Sequence, residues 1–177
     1  MSIENVKKEF PKCEVVAENG KVVVVVPEGT KTIGHFTDFI FMRKLGFQKV
    51  VLPASLTKIE PSTFYACYDL EEIEIPGSVK KLDFQLFGNC KKLKKVILNE
   101  GLEEISWGVF NGTAELKELN IPSTVIKMGD EFRDTFNCCD LSAFEECYDN
   151  LGTGIAKADI KIACPERFDD KCFKGTK

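Results

Sequence analysis

The chain has 177 residues, 44% of them hydrophobic and 29% charged, the length and balance of one soluble globular domain. Its formal net charge is −4 and it has no long basic run, which excludes the basic patch of a dedicated nucleic-acid binder. "MSIENVKKEF" lacks the apolar stretch of a secretory signal and "VVVVVP" from Val22 is far too short to cross a bilayer, so no membrane partner is expected, and the expected location is cytoplasmic, with the eight cysteines as reduced thiols.

Taken in chain order, Ile3, Val6 and Phe10 fall at helical spacing and predict a short capping helix. "CEVVAENGKVVVVV" reads as a hairpin with Asn19-Gly20 at its turn, laying Cys13 to Ala17 against the first repeated strand. From Val22 the chain begins to repeat itself. A stretched first copy, "VVVVVPEGTKTIGHF", precedes three copies at a period of 23 that run from Gln48 to Leu70, Glu71 to Leu93 and Lys94 to Leu116; a fourth begins at Lys117.

The repeated positions have a physical logic. Val50 and Leu52, Ile73 and Ile75, Val96 and Leu98, and Leu119 and Ile121 alternate with mostly polar neighbours, as in a strand with one buried face. Pro53, Pro76 and Pro122 stop the strands. A second apolar pair follows in each copy (Leu56 and Ile59, Val79 and Leu82, Leu102 and Ile105, Val125 and Met128), then Phe64, Phe87 or Phe110, then a closing Leu70, Leu93 or Leu116. One coil cannot bury these side chains alone, whereas stacked coils bury them against their equivalents above and below. Cys67 and Cys90 share a rung with Thr113, and small buried residues suit it.

Beyond the fourth copy, "DEFRDTF" inserts about three residues relative to the repeat. "DLSAFEECYDNL" places Leu141, Phe144, Tyr148 and Leu151 on one helical face, "GTGIAKA" is a loop, and "IKIACPERFDDKCFKG" reads as a strand and a closing helix with Pro165 in its first turn.

Chemistry is sought and mostly not found. His35 is the one histidine, so any Cys–His pair or Ser–His–Asp triad must pass through it, at a position that varies between copies. Cys138, Cys139, Cys147, Cys164 and Cys172 cluster late but include no C-x-x-C zinc spacing. "GTGIAK" lacks the third glycine and the strand-turn-helix setting of a phosphate loop, and the sequon at Asn111 has no meaning outside the secretory path. No catalytic residue, metal or cofactor is assigned.

The repeated residues resemble those of the BspA-like leucine-rich repeats, with the pattern clearest in "LEEIEIPGSVKKLDFQLFGNCKKL" from Leu70 to Leu93. The resemblance implies an α/β repeat solenoid: a short right-handed array of about five coils with a parallel sheet on one side. It also implies binding rather than catalysis, since the family is largely one of surface and adhesion proteins. The expected organisation is one domain over 1–177, with an N-terminal hairpin cap at 1–21, repeats at 22–141 and a C-terminal strand-helix cap at 142–177.

Two surfaces are candidates for binding another protein. On the open side of the strands, Val25, Val51, Glu74, Ile97 and Asn120 form one row; Val23, Lys49, Glu72, Lys95 and Glu118 form a second that alternates in charge from Lys49 onward. That charged row is either a ladder of weak ion pairs on a solvated face or part of an interface. The alternative stripe, His35, Pro61, Phe84, Trp107 and Asp130, follows the repeated Ile, Leu or Met rung by two residues and carries two large aromatics in adjacent coils. The expected function is a non-catalytic protein-protein interaction module. A structural subunit of a larger particle or homo-oligomer is the second reading, with the cell surface or such a particle as its location, and a cysteine-dependent enzyme is the third.

Overall fold

The computed structural model describes residues 1–128 and the strand Ile160–Ile162. Helix α1 (Ile3–Glu9) starts at Ser2, whose side chain accepts the Asn5 amide, and it buries Val6 and the following Phe10 against the end of the core. Strands β1 (Glu14–Glu18) and β2 (Lys21–Val25) pair antiparallel, with Val15 opposite Val24. Asn19 and Gly20 join them with φ of 50° and 78°, the left-handed pair that a two-residue hairpin requires.

From β2 onward the sheet grows in parallel through β4 (Lys49–Val51), β6 (Glu72–Ile75), β8 (Lys95–Leu98), β10 (Glu118–Ile121) and β12 (Ile160–Ile162). Its register is that of the 23-residue period: Val50 pairs with Ile73, Ile73 with Val96 and Val96 with Leu119, all of them buried. Leu119 pairs in turn with Ile160, so the predicted closing strand joins the sheet. The predicted helical face at Leu141, Phe144, Tyr148 and Leu151 and the closing helix from Pro165 lie outside the described residues.

The far side of each coil carries shorter strands. β3 (Thr32–Ile33) pairs with β5 (Lys58–Ile59), while β7 (Lys81–Leu82), β9 (Glu104–Ile105) and β11 (Lys127–Met128) form a three-stranded sheet. Further along the arc, backbone bonds link coil to coil. The amides of Ser62, Phe64 and Ala66 donate to the carbonyls of Phe84, Leu86 and Gly88, and those of Gln85, Phe87 and Asn89 to Trp107, Val109 and Asn111. The arc bends tightly enough to require left-handed φ at Ser62, Gln85 and Gly108, and again at Arg43, Ala66, Asn89 and Gly112. Both series run at the 23-residue period, yet only the coil from Lys94 to Leu116 has glycine at both places.

The core is a column. Phe41, Phe64, Phe87 and Phe110 are fully buried, with successive ring centroids 5.0, 5.6 and 5.7 Å apart. On the next rung the Cys67 and Cys90 thiols donate to the carbonyls of Phe41 and Phe64, one coil back, at 3.1 and 3.0 Å. Thr113 on the same rung instead donates to Phe110 in its own coil, at 2.7 Å. Both cysteines are free. Burial pushes the Cys90 thiol up to about 12 and Cys67 well above its ordinary value, so neither is poised as a nucleophile.

At the corner after each sheet strand a hydroxyl reaches back to the preceding coil. Ser55 donates to Thr30, Ser78 to Ala54 and Leu56, and Thr124 to Leu102. Gly101 interrupts the series and is held instead by its own amide, which donates to Thr124 Oγ1 at 2.9 Å.

The structure corrects two details of the sequence reading and sharpens a third. Leu52, expected to be buried like Ile75 and Leu98, is only partly buried, because β4 ends at Val51. Val23, assigned to an outward row, is buried between its ladder partners Val16 and Lys49. The stretch in the first coil is also localised: Ile33 pairs with Ile59, 26 residues on, while the Phe41 ring packs at a tilt on Phe64, 23 residues on, so the three extra residues fall between Ile33 and Phe41. There Gly34 and Phe39 close a small loop that leaves Phe36 95% exposed.

Candidate functional site

The open sheet face brings most of the predicted row together. Val25 pairs with Val51 and Glu74 with Ile97, so these side chains share one face of the sheet. Val51 is 39% exposed, while Val25 and Ile97 are half-buried. The Glu74 carboxylate is held from the side by Asn99, whose Nδ2 donates to it at 2.8 Å and also to the Ile75 carbonyl at 3.1 Å. A hollow of about 490 Å³ runs from Val51 and Leu52 past Glu74 to Asn99; a second, of about 230 Å³, lies between Lys49, Glu74 and Ile97.

Asn120 has a different task. Its Oδ1 accepts the Leu98 amide at 2.9 Å and its Nδ2 donates to the Leu98 carbonyl at 2.6 Å. The ladder between β10 and β8 stops at Leu119, so the Asn120 amide stands in for the next backbone pair. It offers little to a ligand.

The charged row forms the predicted ladder. Lys49 lies 3.4 Å from Glu72, Lys95 lies 2.8 Å from Glu118, and Lys21 reaches both Glu71 and Glu72 at 3.4 Å. The arc carries a second ladder that the sequence reading missed: Lys81 and Lys127 flank Glu104 at 3.4 and 3.1 Å. It was visible as a charge alternation at the 23-residue period on the second strand of each coil.

These ladders bear on acid stability. Burial works against ionisation of Glu72, but Lys21 and Lys49 outweigh it and hold the carboxyl below its ordinary value of 4.5. The hydrogen bond from Lys127 holds Glu104 below the same value, opposed by burial and aided by Lys81. Both groups are more acidic folded than unfolded. The stability they add is therefore complete above about pH 4.5 and is lost as pH falls through their lower folded values. The expected result is a melting temperature that drops below about pH 4.5 and drops less steeply in a Glu72→Gln, Glu104→Gln double variant. Partial exposure keeps the effect modest. Equal slopes for the two proteins in a pH series of thermal melts would refute the assignment.

The alternative stripe is also assembled. Phe84 and Trp107 stack nearly parallel, with centroids 4.9 Å apart and an interplanar angle of 7°, and they remain 41% and 38% exposed. Pro61 and His35 are exposed along the same arc, and Asp130 lies outside the described residues. His35 has no thiol partner among the described residues, since Cys67 and Cys90 are buried in the core column. Among the described residues no three His, Cys, Asp or Glu side chains converge as metal ligands, and no helix is long and apolar enough to cross a membrane. The five late cysteines lie outside the described residues.

Set beside known proteins, residues 22–148 match the BspA type leucine rich repeat region in six copies, one more than the count made by period. The leucine rich repeat protein of T. pallidum superposes with a TM-score of 0.57 at 20% identity, over 72% of this chain and 67% of that one. A leucine-rich repeat protein from Bacteroides ovatus ATCC 8483 gives a TM-score of 0.45 at 20% identity, over 60% of this chain and 33% of that one. At 20% identity the likeness to the T. pallidum protein is one of fold. No curated protein matches the chain. The repeats, their stacking and the family match agree, and the chain belongs to the BspA-type leucine-rich-repeat family.

Proposed function

We propose that this chain is a non-catalytic module that binds another protein through the open face of its sheet. The observation that carries this reading is the pair of hollows beside Val51, Glu74 and Ile97. There an exposed valine adjoins a carboxylate already fixed by Asn99, so a partner would meet apolar area and one oriented acceptor without ordering either. Lys49, Lys95 and Val25 rim this face, and the ion pairs of its charged row leave it little net field. Family membership supports a repeat-based interaction or structural module, and the free Cys13, Cys67 and Cys90 accord with a reducing compartment such as the cytoplasm. The reading treats 1–177 as one domain, wound right-handed as parallel strand crossovers almost always are, with a strand-helix cap at its C-terminus.

A second reading is a structural subunit of a homo-oligomer or particle, in which the stacked Phe84 and Trp107 pack against a neighbouring subunit. Large stacked aromatics at this exposure are suited to such a contact. One pair of variants separates the two. Ile97→Lys and Trp107→Glu are each checked for unchanged melting, then used to capture partners from the native extract with identification by mass spectrometry. Ile97→Lys is expected to reduce capture of the wild-type partner at least tenfold, with Trp107→Glu close to wild type. The reverse pattern, or a sedimentation coefficient that falls to that of the monomer only in Trp107→Glu, assigns the interface to the arc.

A further inference from the structure

The sheet has an open edge at its N-terminal end, across β2 from the hollows discussed above. β1 is five residues long and, among the described residues, pairs on one side only, with β2. Glu18 and Lys21 flank the two-residue turn and form the first hydrogen-bonded pair, so alternation along the hairpin aims the N–H and C=O of Val15 and Ala17 away from β2. Among the described residues no hydrogen bond to these groups is formed, although α1 lies beside the strand and Val15 itself is buried. Ala17, Glu14 and Glu18 are exposed, while Val15 is buried beneath, against Val24. α1 packs its Val6 and Phe10 into the end of the core.

The side chains on this edge restrict what can add to it. Glu14, Val16 and Glu18 point to the open side of the sheet, in a line of acid, apolar and acid. Among the described residues neither glutamate has an ion-pair partner, whereas the neighbouring Lys7, Lys12 and Lys21 are taken up by Glu4, Asp38 and the Glu71 and Glu72 pair. A second copy of the chain is a poor occupant: antiparallel pairing of two β1 strands in full register sets Glu14 opposite Glu18 at both ends, and like charges directly opposite are destabilising. An incoming strand with lysine or arginine opposite each glutamate, and an apolar residue between them opposite Val16, satisfies all three.

We infer that β1 is a docking edge for an extended basic segment of a partner protein, which adds to the sheet as an eighth strand with basic residues four positions apart. The main chain supplies the affinity through Val15 and Ala17, and Glu14 and Glu18 supply the selection.

The test uses the full chain and a blocked heptapeptide with lysine at its second and sixth positions, valine at the fourth and threonine elsewhere. Binding is followed by amide chemical shifts and hydrogen exchange, in low salt and again at physiological salt. The expected result is saturable binding, with shifts and slowed exchange confined to Val15, Ala17 and their neighbours, and weakened by salt. A peptide N-methylated on the residues that face the edge, and a Glu14→Lys, Glu18→Lys double variant, should each lose at least tenfold in affinity. The double variant should instead bind the peptide with glutamate in place of lysine. The inference is overturned if the peptide does not bind, if N-methylation leaves binding unchanged, if the shifts centre on Val51 and Ile97, or if the free protein sediments as a dimer with β1 amides already protected. Ile97→Lys and Trp107→Glu leave this binding unchanged, so its failure and failure of the proposed sheet face are read separately.

Discussion

Phe87→Ala is expected to cost about 3–5 kcal/mol, the range for emptying a buried phenylalanine site. The ring has no exposed surface and lies between Phe64 and Phe110, at 5.6 and 5.7 Å, tilted from them by only 14° and 16°. Truncation therefore removes contacts on both faces at once. The walls of the resulting void are the rings of other coils, which the backbone ladders from Phe64 to Leu86 and from Phe87 to Val109 hold at their spacing. Collapse into the void would have to break those bonds, so little of the loss is recovered. Phe110→Ala is also costly, and Phe84→Ala, on the exposed stripe, should cost far less. Urea unfolding followed by circular dichroism measures all three. A loss for Phe87→Ala within about 1 kcal/mol, the scale of ordinary surface changes, would contradict a continuous column.

Much of this architecture could be read from residue spacing, and the reasons mark where such reading stops. Alternation in Ile73, Glu74 and Ile75 fixes which side chains face inward, and the 23-residue period fixes which of them meet, so the register from Val50 to Leu119 follows from pattern alone. Direction is not exposure, however. Val23 points to the open side and is still buried, because that depends on what its neighbours on β1 and β4 place over it. Asn120 had the right position for a binding residue, but its amide could be recognised as a stand-in for backbone pairing only once the β10–β8 ladder was seen to end at Leu119. The arc was the least legible part. Its left-handed positions hold Ser62, Ala66 and Gln85, residues that give little warning of φ near +50° to +60°, and its coil-to-coil bonds use backbone groups that leave no trace in composition. The stacked Phe84 and Trp107 were visible because they occupy a recurring position with unusual residue types.

Gly77→Ala should destabilise the chain by about 1–3 kcal/mol, toward the upper end of the range for overpacking. A β-carbon on Gly77 would lie 2.0 Å from the carbonyl oxygen of Glu100, and one on Gly101 would lie 2.3 Å from the carbonyl oxygen of Gly77. Both obstacles are main chain, so no side-chain rotation relieves them and the two coils must move apart at this corner. That movement strains the bonds on either side, from the Asn99 amide to Ile75 and from the Glu103 amide to Lys80. Gly101→Ala adds a second penalty, because Gly101 has φ of 111°, where a side chain is strained by about 1–3 kcal/mol whatever the space. The two substitutions act on one contact, so the double variant should lose less than the sum of the single losses: once the coils have parted for one β-carbon, the other finds room. Gly29→Ala is the control, since Gly29 has φ of 88° but nothing within 4 Å of its added carbon, and it isolates the backbone cost from the steric one. Urea midpoints for the four variants settle the matter. If Gly77→Ala unfolds at the wild-type midpoint, or if the Gly77 and Gly101 losses simply add, the coils do not touch through their backbones at this corner.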